Sequence, residues 1–196
     1  MSTGRRPVLY AIVCGAGPAS EVGRLVDEAQ DRGWDVWVIA TPAALDFVDV
    51  PTLEERSRHP LRSAYQPSGE PRHRSLPHAD AIIVAPATYN TINKWAVGVS
   101  DTFALGVLAE APGLGIATVA LPFVNTALAS SPAFRRSITV LREQGVRLIH
   151  GQGEWEAHTP GTGDKLIADF PWRRALDEAE RLLTETSGQH KDRRGQ

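Results

Sequence analysis

The chain has 196 residues, 42% of them hydrophobic, with 21 Lys and Arg against 23 Asp and Glu and a formal charge of −2. That length supports one buried core and one domain, and the balanced charge excludes a basic field for nucleic acid or an anionic membrane. Cys14 is the single cysteine. No intrachain disulfide or cysteine metal site is therefore expected, and without a signal-like apolar core near Met1 a cytoplasmic location is expected.

Residues 7–13 (PVLYAIV) form an apolar run rich in strand formers, ended by Cys14-Gly15-Ala16-Gly17-Pro18. Residues 19–32 carry apolar positions at helical spacing (Val22, Leu25, Val26, Ala29), and Gly33 suits the residue after a helix end. A second strand follows at 35–40 (DVWVIA), then Thr41-Pro42. Continuous apolar strands separated by a helix predict parallel pairing with both sheet faces covered.

Residues 49–77 break this rhythm with five prolines and many charges, leaving room for one helical turn near 53–58. A loop this long in a small domain is expected to be functional or mobile. Order resumes with a third strand at 79–85. One long helix or two abutting ones then cover 89–110, with Ile92, Trp95, Ala96, Val99, Phe103 and Val107 expected inward. Residues 115–121 (GIATVAL) read as a fourth strand, 132–144 as an amphipathic helix, 146–149 as a fifth strand and 172–184 as a last helix. Residues 151–165 are glycine-rich, and 186–196 read as a disordered tail after a domain spanning 1–185. The alternation predicts an α/β class: a single-domain, Rossmann-like three-layer α/β/α fold with a mainly parallel sheet and right-handed crossovers.

The segment VAPATYNTINKWAVGVSD at 84–101 carries the most information. Small and hydroxylated residues at the carboxyl end of a buried strand open directly into a helix. Free backbone N–H groups then lie where open α/β sheets bind ligands. Gly15-Ala16-Gly17-Pro18-Ala19-Ser20 only half matches a dinucleotide fingerprint, and Asp35 begins the second strand rather than ending it, the wrong end to reach a ribose. No GxxxxGK[ST] phosphate loop exists. What remains is a glycine loop after the first strand, Thr41 after the second, Thr88–Thr91 after the third and Phe123–Thr126 after the fourth. Each alone is an ordinary βα turn; together they could outline one mononucleotide crevice.

These residues, in this order, resemble the homo-oligomeric flavin-containing Cys decarboxylases, over roughly residues 7–150 and most specifically at 79–101. The resemblance implies FMN as cofactor. Gly15, Ala16 and Gly17 match the family's phosphate and ribityl loop, and Thr41 the hydroxyl after strand two. Thr88, Tyr89, Asn90 and Thr91 match its PxSANT segment, and Gly98 and Asp101 the glycine and aspartate of the next helix. Phe123, within the substrate segment at 122–128, is also expected as a cofactor contact. His73 is the nearest match to the catalytic histidine before strand three, with His78 as its rival and two solvated loop histidines as the plain alternative. In the substrate segment, family pattern P-x-M-N-x-x-M-W, Asn125 keeps the carboxylate-binding asparagine, while both methionines and the tryptophan are replaced.

The resemblance further implies oxidative decarboxylation of a cysteinyl substrate, peptide or small molecule, to an ene-thiol. No cysteine follows Cys14 to reduce that product. It also implies a homotrimer or dodecamer. Flavin prenyl transfer, with Lys94, Arg135 and Arg136 as candidate cations, and a non-catalytic FMN-binding protein remain alternatives. Cys14 reads as packing rather than as a nucleophile, and no metal is assigned.

Overall fold

The computed structural model describes residues 5–65 and 76–193. Strand β1 (Val8–Val13) is buried along its whole length, as is β3 (Ala81–Ala87), because helices cover both faces. With β2 (Asp35–Ala40), β4 (Ala117–Pro122) and the short β5 (Arg147–Leu148) they form one sheet of order β2-β1-β3-β4-β5, parallel throughout.

Alternation along the strands sends side chains to two cores. Leu9, Ala11 and Val13 face helix α1 (Gly23–Asp31) and helix α7 (Trp172–Arg193), where Leu25, Val26, Ala175 and Leu176 are buried. Val8, Tyr10 and Ile12 face the opposite layer of α3 (Tyr89–Ala96), α4 (Phe103–Glu110) and α6 (Pro132–Glu143), through Ile92, Trp95, Leu105, Leu108, Phe134 and Ile138. The result is the expected three-layer α/β/α arrangement.

Several boundaries depart from expectation. The helix predicted from 19 begins as a 3-10 turn, Gly17–Glu21, and becomes α1 only at Gly23. The single turn expected near 53–58 is a full helix, α2 (Val50–Ser57), started by Asp49, whose carboxylate accepts the Thr52 N–H at 3.2 Å. The 89–110 region is two helices with a break at 97–102. Gly98 takes φ +75° and Thr102 starts α4 by accepting the Leu105 N–H. Val99 falls in that break and is exposed rather than inward, and the buried face of α4 runs through Ala104, Leu105 and Leu108. Phe103 and Val107 are only partly buried. Helix α7 extends beyond the expected end at 184, to Arg193.

The outer edge of β2 is covered by chain. Ala40 N–H donates to the Arg62 carbonyl and Arg62 N–H to the Val38 carbonyl, which removes an unpaired edge. Asp35, at the start of β2, holds the His59 imidazole at 2.6 Å, and that ring stacks on Trp37. Across the other side, the Arg32 guanidinium joins Glu28 of α1 to Asp177 and Glu180 of α7.

Candidate cofactor and substrate cleft

In a sheet of this order the chain turns from one side of β1 to the other, so a crevice opens at the carboxyl ends of β1 and β3. Backbone hydrogen bonds lace those ends together. Thr41 N–H donates to Val13 O, Cys14 N–H to Pro86 O, and Phe123 N–H to Ala87 O. The β3–β4 register slips between Val84 and Ala87. This slip occurs where the Pro86-Ala87-Thr88 corner turns into α3.

The corner encloses a cleft of about 560 Å3, within the range of roughly 300–1,000 Å3 usual for cofactor sites. Of the residues singled out in the sequence, Gly15, Ala16, Thr41, Thr88, Tyr89, Asn90, Thr91 and Phe123 line it, drawn from four strand ends. Gly15 is required by close approach: a Cβ there would lie 2.6 Å from the Ala43 carbonyl oxygen. Thr88 starts α3 by accepting the Thr91 N–H at 3.2 Å, and the two hydroxyls lie 3.0 Å apart. Helix α3 thus points the N–H groups of its first turn at the cleft. Tyr89 is fixed sideways by its hydroxyl against Ser131 and by stacking on Phe134.

Cys14 lies fully buried beneath this floor. Burial pushes its thiol up, opposed in part by contacts with Thr91 and Thr88, so it packs as a neutral thiol.

Other expected residues lie outside the cleft wall. Gly17 abuts Ile167, whose Cδ1 would be 3.1 Å from an added Cβ. Asp101 is paired with Lys94 at 2.5 Å, and it is Lys94 that lines the cleft. Asn125 starts the short α5 (Thr126–Ala129), its Oδ1 accepting the Leu128 N–H at 2.9 Å, between the cleft residues Phe123 and Leu128. His73 lies outside the described residues. His78 borders a separate cavity with Tyr10 and Phe103. Arg136 lines a groove between α3 and α6 that Lys94 also borders, and of Lys94, Arg135 and Arg136 only Lys94 lines this cleft.

Pro42, Ala43, Thr102, Leu105 and Leu128 line the cleft without having been singled out. For Thr102 the signal was present: Gly98 followed by Ser100-Asp101-Thr102 marks a helix stop and a new start. A second missed residue is His158. Its ring rests 4.8 Å from Phe123, and its backbone N–H and C=O join Val124 and Thr126.

Suitability for a flavin nucleotide follows from this donor set. Among the described residues no carboxylate lines the cleft, and its polar groups are hydroxyls, amides and one ammonium. Such a wall accommodates an anionic phosphate at a helix N-terminus and leaves Leu105, Phe123 and Leu128 as an apolar side for a ring.

Known proteins agree with this architecture. The chain is 34% identical over 130 residues to the Coenzyme A biosynthesis bifunctional protein CoaBC of Bacillus subtilis, covering 64% of this chain but only 31% of that protein. It is 28% identical to a probable phosphopantothenoylcysteine decarboxylase of Streptococcus mutans, over 70% of this chain and 78% of the relative. Among solved structures, the FMN-dependent cysteine decarboxylase TvaF from thioviridamide biosynthesis superposes with a TM-score of 0.67 at 21% identity, covering 92% of this chain and 99% of that one. At that identity the superposition shows the fold alone. The family model described as Flavoprotein matches residues 2–170, and the chain belongs to that family.

Proposed function

We propose that this chain holds FMN in the cleft at the ends of β1–β4 and oxidatively decarboxylates a substrate bearing a cysteine with a free carboxylate. The observation that carries the reading is the convergence of four strand ends on one carboxylate-free cleft headed by the α3 N-terminus. The names of the relatives, decarboxylases of a cysteinyl compound, support the same chemistry.

Gly15, Ala16 and Thr41 would hold the phosphate and ribityl end, and Thr88–Thr91 the ring edge. When bound, FMN supplies a two-electron oxidant for the Cα–Cβ bond of the cysteine. The chain's own residues do the rest. Phe123, Tyr89 and Leu128 bound the apolar side and exclude water, and Asn125 is assigned to the carboxylate that leaves as carbon dioxide. His73 is assigned as the base. The substrate would lose CO2 and two hydrogens, the two hydrogens being taken up as the flavin is reduced, with an ene-thiol as product. Lacking a second cysteine, the chain would release that ene-thiol unreduced.

The prenyl-transfer alternative is weakened because, of its three candidate cations, Lys94 alone lines the cleft. A homotrimer would use the groove between α3 and α6, where Val97 is exposed.

The reading is tested with freshly purified protein. A flavin absorption band should be present, and anaerobic addition of cysteine-ended peptides should bleach it, with a substrate mass loss of roughly 46 Da as two hydrogens pass to the flavin and CO2 leaves. Neither bleaching nor mass loss across peptides and N-acyl cysteines would overturn it.

A further inference from the structure

Asn125 and His158 form an isolated parallel bridge. Thr126 N–H donates to His158 O at 2.7 Å and His158 N–H to Val124 O at 3.2 Å. Residues opposed in a parallel ladder project to the same face, as do residues two apart on one strand. Phe123, Asn125 and His158 therefore share a face, and Phe123 lines the cleft. The intervening Val124 is buried on the other side.

The imidazole is held on several sides. Its ring leans on Phe123 at 4.8 Å and 39°. Gly163 leaves it room, since a Cβ there would meet His158 Cε1 at 3.1 Å and Phe123 Cε1 at 3.3 Å. His158 Nδ1 lies 3.0 Å from the Thr159 carbonyl. A carbonyl only accepts, so Nδ1 carries the hydrogen and Nε2 is the atom left for a ligand. The charged groups of the surrounding segments are Glu154, Glu156, Asp164, Lys165 and Asp169; Glu154 is paired with Arg147 and Arg174, and none forms an ion pair with His158 among the described residues. Asn125, with Oδ1 committed to Leu128 N–H, offers only its neutral amide donors.

From this juxtaposition we infer that His158 is the charged partner of Asn125 in a two-donor clamp for the substrate carboxylate. Protonated Nε2 donates to one oxygen and the Asn125 amide to the other. The inference rests on the cysteinyl-acid reading above and adds a residue from the glycine-rich segment to the asparagine already assigned. It also predicts that binding takes up a proton, because a carboxylate beside Nε2 favours the imidazolium.

The test is binding rather than turnover. Isothermal titration of the flavin-loaded protein would use a serine-ended peptide, an N-acyl serine and the amide of each; with oxygen in place of sulfur, the thiol chemistry is blocked. The acids should bind more tightly than the amides. Near pH 8, titration in buffers of different ionisation enthalpy should report uptake of up to about one proton per site. His158→Phe keeps a ring against Phe123 and should weaken the acids by about ten- to hundredfold, the range of one charge-assisted hydrogen bond, while changing the amides less than about twofold. It should also abolish the proton uptake. His158→Gln, which retains a donor, should recover part of the acid affinity without the uptake. Gly163→Ala, which presses on both rings, should lower acid affinity by a few-fold.

Equal weakening of acid and amide, retained uptake in His158→Phe, or no acid preference in the wild-type chain would overturn the clamp. Peptide against N-acyl ligand identifies which class carries the carboxylate. If cysteine-ended substrates are not oxidised but acid preference and uptake persist, the decarboxylase reading fails and the clamp stands.

Discussion

On the β1–β3 side the cleft is made of backbone and short side chains: Gly15 against the Ala43 carbonyl, Thr41, and the Thr88–Thr91 start of α3. On the β4 side it is made of rings: Phe123, tilted against His158 and edge-on to Phe170, faces Tyr89 of α3, itself stacked on Phe134 of α6. The first side suits a group recognised by N–H donors, such as a phosphate or the edge of a ring system. The second suits recognition by shape, with polar groups set behind the rings. A cofactor common to a family and a substrate particular to one chain would divide along the same line.

That division can be broken from either side. The largest effect is expected for Gly15→Ala, which forces a Cβ against the Ala43 carbonyl. Purified variant should lose most of its flavin, and urea unfolding should show about 3 kcal/mol less stability, the upper range for overpacking. Retention of the full flavin complement would show that the β1 loop does not hold the cofactor.

Arg147 lies behind the β4 side and ties Glu154 to Glu178 of α7 at 2.6 and 2.9 Å, both acids partly buried. Arg147→Ala should cost about 2 kcal/mol, with flavin content preserved. For Glu178 the Arg147 hydrogen bond is the main cause of a lowered pKa; for Glu154 burial acts upward but is outweighed by Arg147 and the His150 N–H. Carboxyls lowered on folding stabilise the protein above their unfolded range and lose that contribution as pH falls through the folded values. Thermal melts should therefore show a drop in Tm below about pH 4 that is smaller in Arg147→Ala.

His150 adds to the same trend from a higher pH. Burial, then Arg142, lowers its pKa, so it folds neutral and opposes folding increasingly as pH falls below the ordinary imidazole range.

The smallest expected effect belongs to Thr88→Val, which removes the hydroxyl that starts α3. It should cost about 1 kcal/mol in denaturant midpoint analysis and weaken flavin retention, leaving the Asn125–His158 side unchanged. An unaltered midpoint would mean that the α3 start is held by packing alone.

Much of this molecule was legible before the fold. Six-residue apolar runs punctuated by Gly, Pro and Thr located β1 and β2, and the abrupt change at 85–91 located the cleft corner. Boundaries were blurred where two signals overlapped. Gly17-Pro18 permits a tight turn before α1, so the helix starts late. The apolar stripe across 92–107 hid the break at Gly98, because Val99 and Phe103 keep the spacing even though the backbone turns away. The role of 151–165 was not legible at all. Glycine-rich sequence has no periodicity, and what His158 touches depends on a bridge to Asn125, more than thirty positions earlier.

Local sequence determined which segments are strands, which residues end them, and that hydroxyls and glycines gather at their carboxyl ends. These are short-range consequences of side-chain period and backbone freedom. Tertiary structure alone decided that four of those ends share one cleft, that Lys94 rather than Asp101 faces it, and that His158 rests beside Asn125. Those relations are set by sheet order and by hydrogen bonds between distant residues, and no spacing along the chain encodes them.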